Sequence, residues 1–234
     1  MYILRLTDWS QHVTGFGLFS LSGLRSCTPT SLSYAYRFLR LSQTNQLGLD
    51  EAFYQKHLKE GVARGISINA ISGAPLSHKS VYEIQKLPPE VIGEIAALQP
   101  GQLIQCTMNP AKENVDFAII GLSRALTIQL EGSDNVGISA TCGGHTTLIL
   151  KLNDLFYFID SASNSFQSAL EIHSDLESLT ESLRATWGAK GDAIDLTPIR
   201  INPTLSPELL EPFDALIGLE TIPVAARRPP SPAP

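Results

Sequence analysis

The sequence predicts an α+β fold in which a helical part packs against an antiparallel sheet. Helix-period apolar patterns fill the chain before residue 100. From Gln102 onward the character changes to short apolar or β-rich runs separated by Gly, Asn or Asp. Helices first and strands later point to segregated layers around one core. The composition supplies that core: 43% of residues are hydrophobic and 17% are charged, which excludes global disorder.

The first helix is announced by Thr28, which can cap, and Pro29, whose fixed φ suits a first helical position. Leu32, Ala35, Tyr36 and Leu39 then recur at i, i+3, i+4 and i+7, one face of a helix. A second helix is expected over Leu49 to Ala63, and a third over Pro89 to Leu98 behind Pro88-Pro89. Strands are expected at Gln102 to Met108, Phe117 to Leu122, Ala125 to Leu130, Thr146 to Leu152 and Leu155 to Asp160. A last helix, Ser174 to Thr186, follows, and the proline-punctuated stretch from Pro198 to Pro212 reads as a loop wrapping back onto the body. No internal repeat is visible. Residues 1–221 are expected to form a single domain, and 222–234, with five prolines and no apolar period, a flexible tail.

Several function classes are disfavoured at this level. A formal net charge of −6 and the lack of any run of five basic residues argue against nucleic acid as a partner. Three cysteines cannot form a disulfide scaffold and leave at least one thiol free, which favours a reducing compartment. No uninterrupted apolar run of 18 residues suggests a membrane span. Met1 to Leu24 mixes Arg5, Asp8, Gln11 and His12 among apolar residues, unlike a secretory signal. A cytoplasmic location, or export without a conventional signal, is the expectation. No phosphate loop, dinucleotide fingerprint or H-E-x-x-H motif occurs, and no cofactor is expected.

Chemistry concentrates in one hairpin. The run HTTLILKLNDLFYFID opens with His145 and closes with Asp160, and Lys151 to Asp154 is its one polar break. A four-residue turn there sets His145 directly opposite Asp160, on one face, at a separation that suits an Nδ1–H to carboxylate bond. A turn centred on Asn153-Asp154 makes the pair diagonal and keeps it on that face. An imidazole held in this way has a fixed tautomer and a stabilised cation, as a general base requires. The blander reading is a surface histidine and a strand-end aspartate capping a hairpin. Their matched placement at the two ends of an apolar hairpin weighs against it.

The nucleophile expected to accompany them is Cys27. It precedes the first helix by one or two residues, where unpaired N–H groups and the helix dipole favour a thiolate. Its setting, RSCTPT, is small and polar, whereas Cys106 sits among apolar neighbours in LIQCTM. Cys142 forms a C-x-x-H spacing with His145, but no second pair completes a zinc site. As a nucleophile it is the weaker candidate, on a loop before a strand with no helix terminus nearby. Gln11 is a candidate side-chain donor to an oxyanion. His57, flanked by Lys56, Lys59 and Glu60, reads as a solvated surface residue, and His12, His78 and His173 have no recognisable partners.

These residues resemble the YopT/AvrPphB-type cysteine proteases that bacteria inject into host cells. In that family a cysteine starts a helix, a histidine opens a hairpin, and an aspartate closes it in a segment of the type F-F-D-P-N-x-G-x-F. The counterpart in this chain is GGHTTLILKLNDLFYFIDSASNSF, Gly143 to Phe166, with Ser161-Ala162 where the family has Pro-Asn. The order of Cys27, His145 and Asp160 and their spacings are similar to the family's. The resemblance implies a papain-like fold, a Cys-His-Asp triad made of these three residues, and a protein substrate, in the family a host protein. It implies cleavage of a peptide or isopeptide bond. The same triad on the same fold also serves glutamine deamidases and transglutaminases, and a third reading is an inactive papain-like module that binds a partner protein.

Overall fold

A computed structural model of the chain describes residues 4–6, 27–48, 50–65, 89–107, 126–127, 130, 135–142, 145–160, 170–187 and 193–219. In chain order the elements are β1 (Leu4–Leu6), α1 (Cys27–Gln43), α2 (Glu51–Gly65), α3 (Pro89–Ala96), β2 (Leu98–Pro100) and β3 (Ile104–Thr107). They continue with β4 (Asn135–Cys142), β5 (His145–Leu152), β6 (Leu155–Ile159), β7 (Leu170–His173), α4 (Leu176–Trp187), β8 (Ala193–Ile201) and α5 (Pro207–Leu216). Among the described residues the strands form one eight-stranded sheet in the order β1-β7-β6-β5-β4-β8-β2, with β3 also paired to β8. Each of these pairings is antiparallel. The fold class is α+β, helices packed on an antiparallel sheet.

The sheet buries both faces. On one, Leu148, Leu150, Tyr157, Ile159 and Ile199 meet Leu32, Ala35, Tyr36 and Leu39 of α1, with α2, α3 and α5 completing the layer. On the other, Ile138, Ile149, Phe158 and Leu196 meet Leu179 and Leu183 of α4. The alternation of β5, with 148 and 150 on one face and 149 on the other, follows from the two-residue period of a strand. Helix α1 is not amphipathic as expected: Leu32, Tyr34, Phe38 and Leu39, and also Ser31, Ser33 and Arg37, are all buried. A helix covered on every side is central to its fold, and a Phe38→Ala change there is expected to cost about 3–5 kcal/mol.

Three sequence readings are corrected. The stretch Ala125 to Leu130, read as a strand, is helical at its described residues Leu126, Thr127 and Leu130. The Pro198 to Pro212 loop is instead the end of β8 and helix α5, with Pro207 opening the helix after Ser206. Pro198 fits inside a central strand because its carbonyl, which accepts from Gly101 at 2.7 Å, faces the gap between β2 and β3. A missing N–H on the same side therefore breaks no ladder bond. His57 is buried, not solvated, and hydrogen-bonds Arg37 Nη1 through Nδ1 at 2.7 Å. The stretch Phe117 to Leu122, Gln11 and the tail at 222–234 lie outside the described residues.

Candidate active site

Three element ends meet at one end of the sheet. Cys27 is the first residue of α1, His145 the first of β5, and Asp160 follows the last residue of β6. The helix thus starts at the cysteine itself, a position whose N–H has no intrahelical acceptor. The hairpin closes over Asn153-Asp154, with Leu152 paired to Leu155 and Leu148 to Ile159. Asn153 takes φ 53, a left-handed conformation that asparagine tolerates better than most residues. This is the tighter of the two turns the sequence allows. One step beyond the Leu148–Ile159 pair puts Asp160 opposite Thr147, so His145 and Asp160 are diagonal neighbours on one face.

The side chains bridge that diagonal. His145 Nε2 donates to Asp160 Oδ1 at 2.7 Å, and Asp160 is 1% exposed. The bond uses Nε2 where Nδ1 was expected. Its consequence is useful: Nδ1 is the ring nitrogen left for the Cys27 thiol, which hydrogen-bonds the same ring. Cys27 is buried, and the His145 side chain, 18% exposed, is the more accessible of the two.

Electrostatics couples the pair. Burial alone would push the Cys27 thiol up. The hydrogen bond and charge of His145, the Thr146 N–H and the Thr28 hydroxyl outweigh it and hold the thiol below its ordinary value. Burial would also push His145 down, but the bond to Asp160, the bond to Cys27 and the charges of both raise it to about 9. Opposite shifts on two bonded groups favour the thiolate–imidazolium form of the pair over its neutral form. Such a pair can attack an electrophilic carbon and then return a proton.

The other sequence candidates fall elsewhere. Cys142 ends β4, not a loop, as the Cα partner of His145, and its side chain lies in the apolar cluster under α4. Among the described residues no three His, Cys, Asp or Glu side chains converge as a metal site. His173, without recognisable partners in the sequence, is buried and lies 3.2 Å from both Ser178 Oγ and Glu171 Oε2. Thr28, read from the sequence only as a helix cap, and Thr146 both contact the thiol and were not among the sequence's site candidates. Their signal is the excess of small hydroxyl residues in CTPT and HTT, the neighbourhoods of Cys27 and His145.

The architecture has solved counterparts. It is similar to a ubiquitin-specific protease encoded by a murine cytomegalovirus tegument protein, solved in complex with a ubiquitin-based suicide substrate. That match has a TM-score of 0.56 at 16% identity and covers 93% of this chain and 96% of the other. The fold is papain-like. A second likeness is to the cysteine protease-like domain of the Photorhabdus asymbiotica toxin PaTox. Its TM-score is 0.45 at 13% identity, over 86% of this chain and 54% of that one. No protein-family model and no curated protein sequence matches the chain. No helix among the described residues is long and apolar enough to cross a membrane.

Proposed function

We propose that this chain is a cysteine hydrolase with Cys27 as nucleophile, His145 as general base and acid, and Asp160 as the group that orients His145. The observation that carries this reading is the hydrogen-bonded run from Cys27 through His145 to Asp160, with the thiol held low and the imidazole held high. Cys27 Sγ attacks the carbonyl carbon of the scissile amide, and the carbonyl π pair moves onto oxygen. The Cys27 N–H at the start of α1 is one donor to that oxyanion. As the tetrahedral centre collapses, His145 gives its proton to the leaving nitrogen and a thioester remains. Water then attacks the thioester, His145 takes its proton, and the acid leaves as Cys27 is regenerated. The chemistry calls for no cofactor.

The substrate class is a peptide or isopeptide bond of a protein. The likeness to a ubiquitin-specific protease over nearly the full length of both chains makes a ubiquitin adduct the first substrate to try. The resemblance to injected bacterial proteases supports an effector role on a host protein. A glutamine side-chain amide would use the same attack, with ammonia as the leaving group. Incubating the protein with ubiquitin conjugates and reading products by mass spectrometry separates these outcomes. Cleavage that is lost in Cys27→Ala supports the proposal. A gain of about one dalton on an intact chain would make it a deamidase. Full activity in Cys27→Ala would overturn the mechanism, and stable capture of conjugates without turnover would make the chain a binding module.

A further inference from the structure

The face of the sheet that receives α1 carries a polar seam beside Cys27. Thr146 follows His145 in β5 and, by strand alternation, points to the opposite face, toward α1. Its hydroxyl lies 2.9 Å from Thr28 Oγ1 and 3.0 Å from Thr141 Oγ1, and Thr141 is its Cα partner on β4. Thr28 in turn hydrogen-bonds the Cys27 thiol, and so does the Thr146 N–H. Ser31 Oγ donates to the Thr146 carbonyl at 3.3 Å and ties the first turns of α1 to the same strand position. Thr146 is 0% and Thr28 6% exposed, so these hydroxyls sit where valine would fill the same space. Buried hydroxyls without partners are costly, and here their partners are one another and the thiol.

The direction of the bonds follows from counting protons. Each hydroxyl owns one proton and two acceptor lone pairs, and a thiolate has no proton to give. Thr28 therefore donates to Cys27 Sγ. Its oxygen is then free to accept from Thr146, whose oxygen accepts from Thr141. Successive donors in such a chain polarise one another in the same sense.

We propose that Thr141, Thr146 and Thr28 form a one-way hydroxyl chain that ends on Cys27 Sγ and holds it as a hydrogen-bond acceptor. The three threonines are then positioning residues for the nucleophile, and the proposal rests on the assignment of Cys27 to that role. Two consecutive residues of β5 serve the thiol: His145 through its ring, Thr146 through its backbone N–H and, by way of Thr28, its hydroxyl. The chain predicts that the ease of forming the thiolate depends on a residue, Thr141, that does not touch sulfur.

The test is the pH dependence of iodoacetamide labelling at Cys27, read by mass spectrometry beside the ultraviolet absorbance of the thiolate with Cys27→Ser as blank. In Thr28→Val the acid limb moves to higher pH, and labelling below that limb slows about tenfold. Thr146→Val keeps the N–H and slows it about threefold, and Thr141→Val about twofold, in the same direction. Thr28→Ser and Thr146→Ser restore the parent profile. Above the limb all variants label at the parent rate. If Thr146→Val fails to fold by circular dichroism, Thr141→Val decides. Valine profiles that overlay the parent's, with Cys27 still labelled, would overturn the chain and leave the nucleophile assignment intact. A parent protein whose Cys27 limb lies at or above that of an ordinary thiol would overturn both.

Discussion

Two histidine–carboxylate pairs lie on the same face of this sheet, and they differ in what surrounds them. His145 bonds Asp160 at 2.7 Å, its side chain is 18% exposed, and a thiol held below its ordinary value shares its ring. His173 lies 3.2 Å from Glu171 in β7 and 3.2 Å from Ser178 at the start of α4, with a side chain 1% exposed. Serine, histidine and glutamate in a row could be mistaken for a second hydrolytic centre. The Ser178 hydroxyl, however, donates to the Asp175 carbonyl at 3.1 Å, and Ser182 donates to Glu171, so the row is tied into the docking of α4. A histidine beside a carboxylate is thus no site by itself. What separates the two is a thiol with a perturbed proton affinity and a side chain open to solvent.

Deleting each histidine is the sharpest way to break that contrast. Cys27→Ala and His145→Ala should each lower kcat/KM on a fluorogenic ubiquitin derivative by at least about 10³-fold, because groups acting as a unit fail together. His173→Phe should leave kcat/KM within about twofold. It removes one buried hydrogen-bond partner from each of Glu171 and Ser178, which keep Ser182 and the Asp175 carbonyl, and should lower stability by about 1–2 kcal/mol in denaturant unfolding. Loss of activity in His173→Phe at retained stability would erase the distinction.

Asp160→Asn comes next, with an expected fall in kcat of about 10²-fold, since the ring keeps its place but loses the charge that favours its cation. The pH profile sharpens the same point. In the proposed mechanism the reactive form is thiolate with imidazolium. Its population rises with pH as the thiol loses its proton, at a pH below the ordinary thiol value. It falls again as the imidazolium loses its proton near pH 9. The bell belongs to the pair as a whole. In Asp160→Asn the alkaline limb should move to lower pH, because the bond and charge of Asp160 are what hold His145 up.

How far the sequence foretold this arrangement depended on how local each signal was. Helices α1 to α4 and strands β3, β5 and β6 carry their own periodicity and flanking breakers, and all were legible within a few residues. Strand β4 was not: NVGISATC holds a glycine and small residues that read as weak until β5 and β8 pair on both its sides. Strand β8 was hidden by Pro198, which is harmless only because the neighbouring edge is interrupted there, a tertiary fact. His57 was misread from its charged sequence neighbours, although Arg37, twenty positions away, is what meets it. At the site, the closeness of His145 and Asp160 followed from hairpin register alone, because the face is preserved when the turn shifts by two. The approach of Cys27 to His145 depends on how α1 crosses the sheet, which no local pattern encodes.

The three cysteines differ in the two properties that decide whether Cys27 is the reactive thiol. Cys106 is the more exposed thiol and is pushed up by burial, Cys142 is buried in an apolar cluster, and Cys27 is buried yet held low by its partners. Brief iodoacetamide treatment of the native protein at about pH 6.5, with mass-spectrometric mapping, ranks them by thiolate character against exposure. Cys27 is expected to be modified first, with activity lost in step with it. Modification of Cys106 first, with Cys27 untouched, would contradict it.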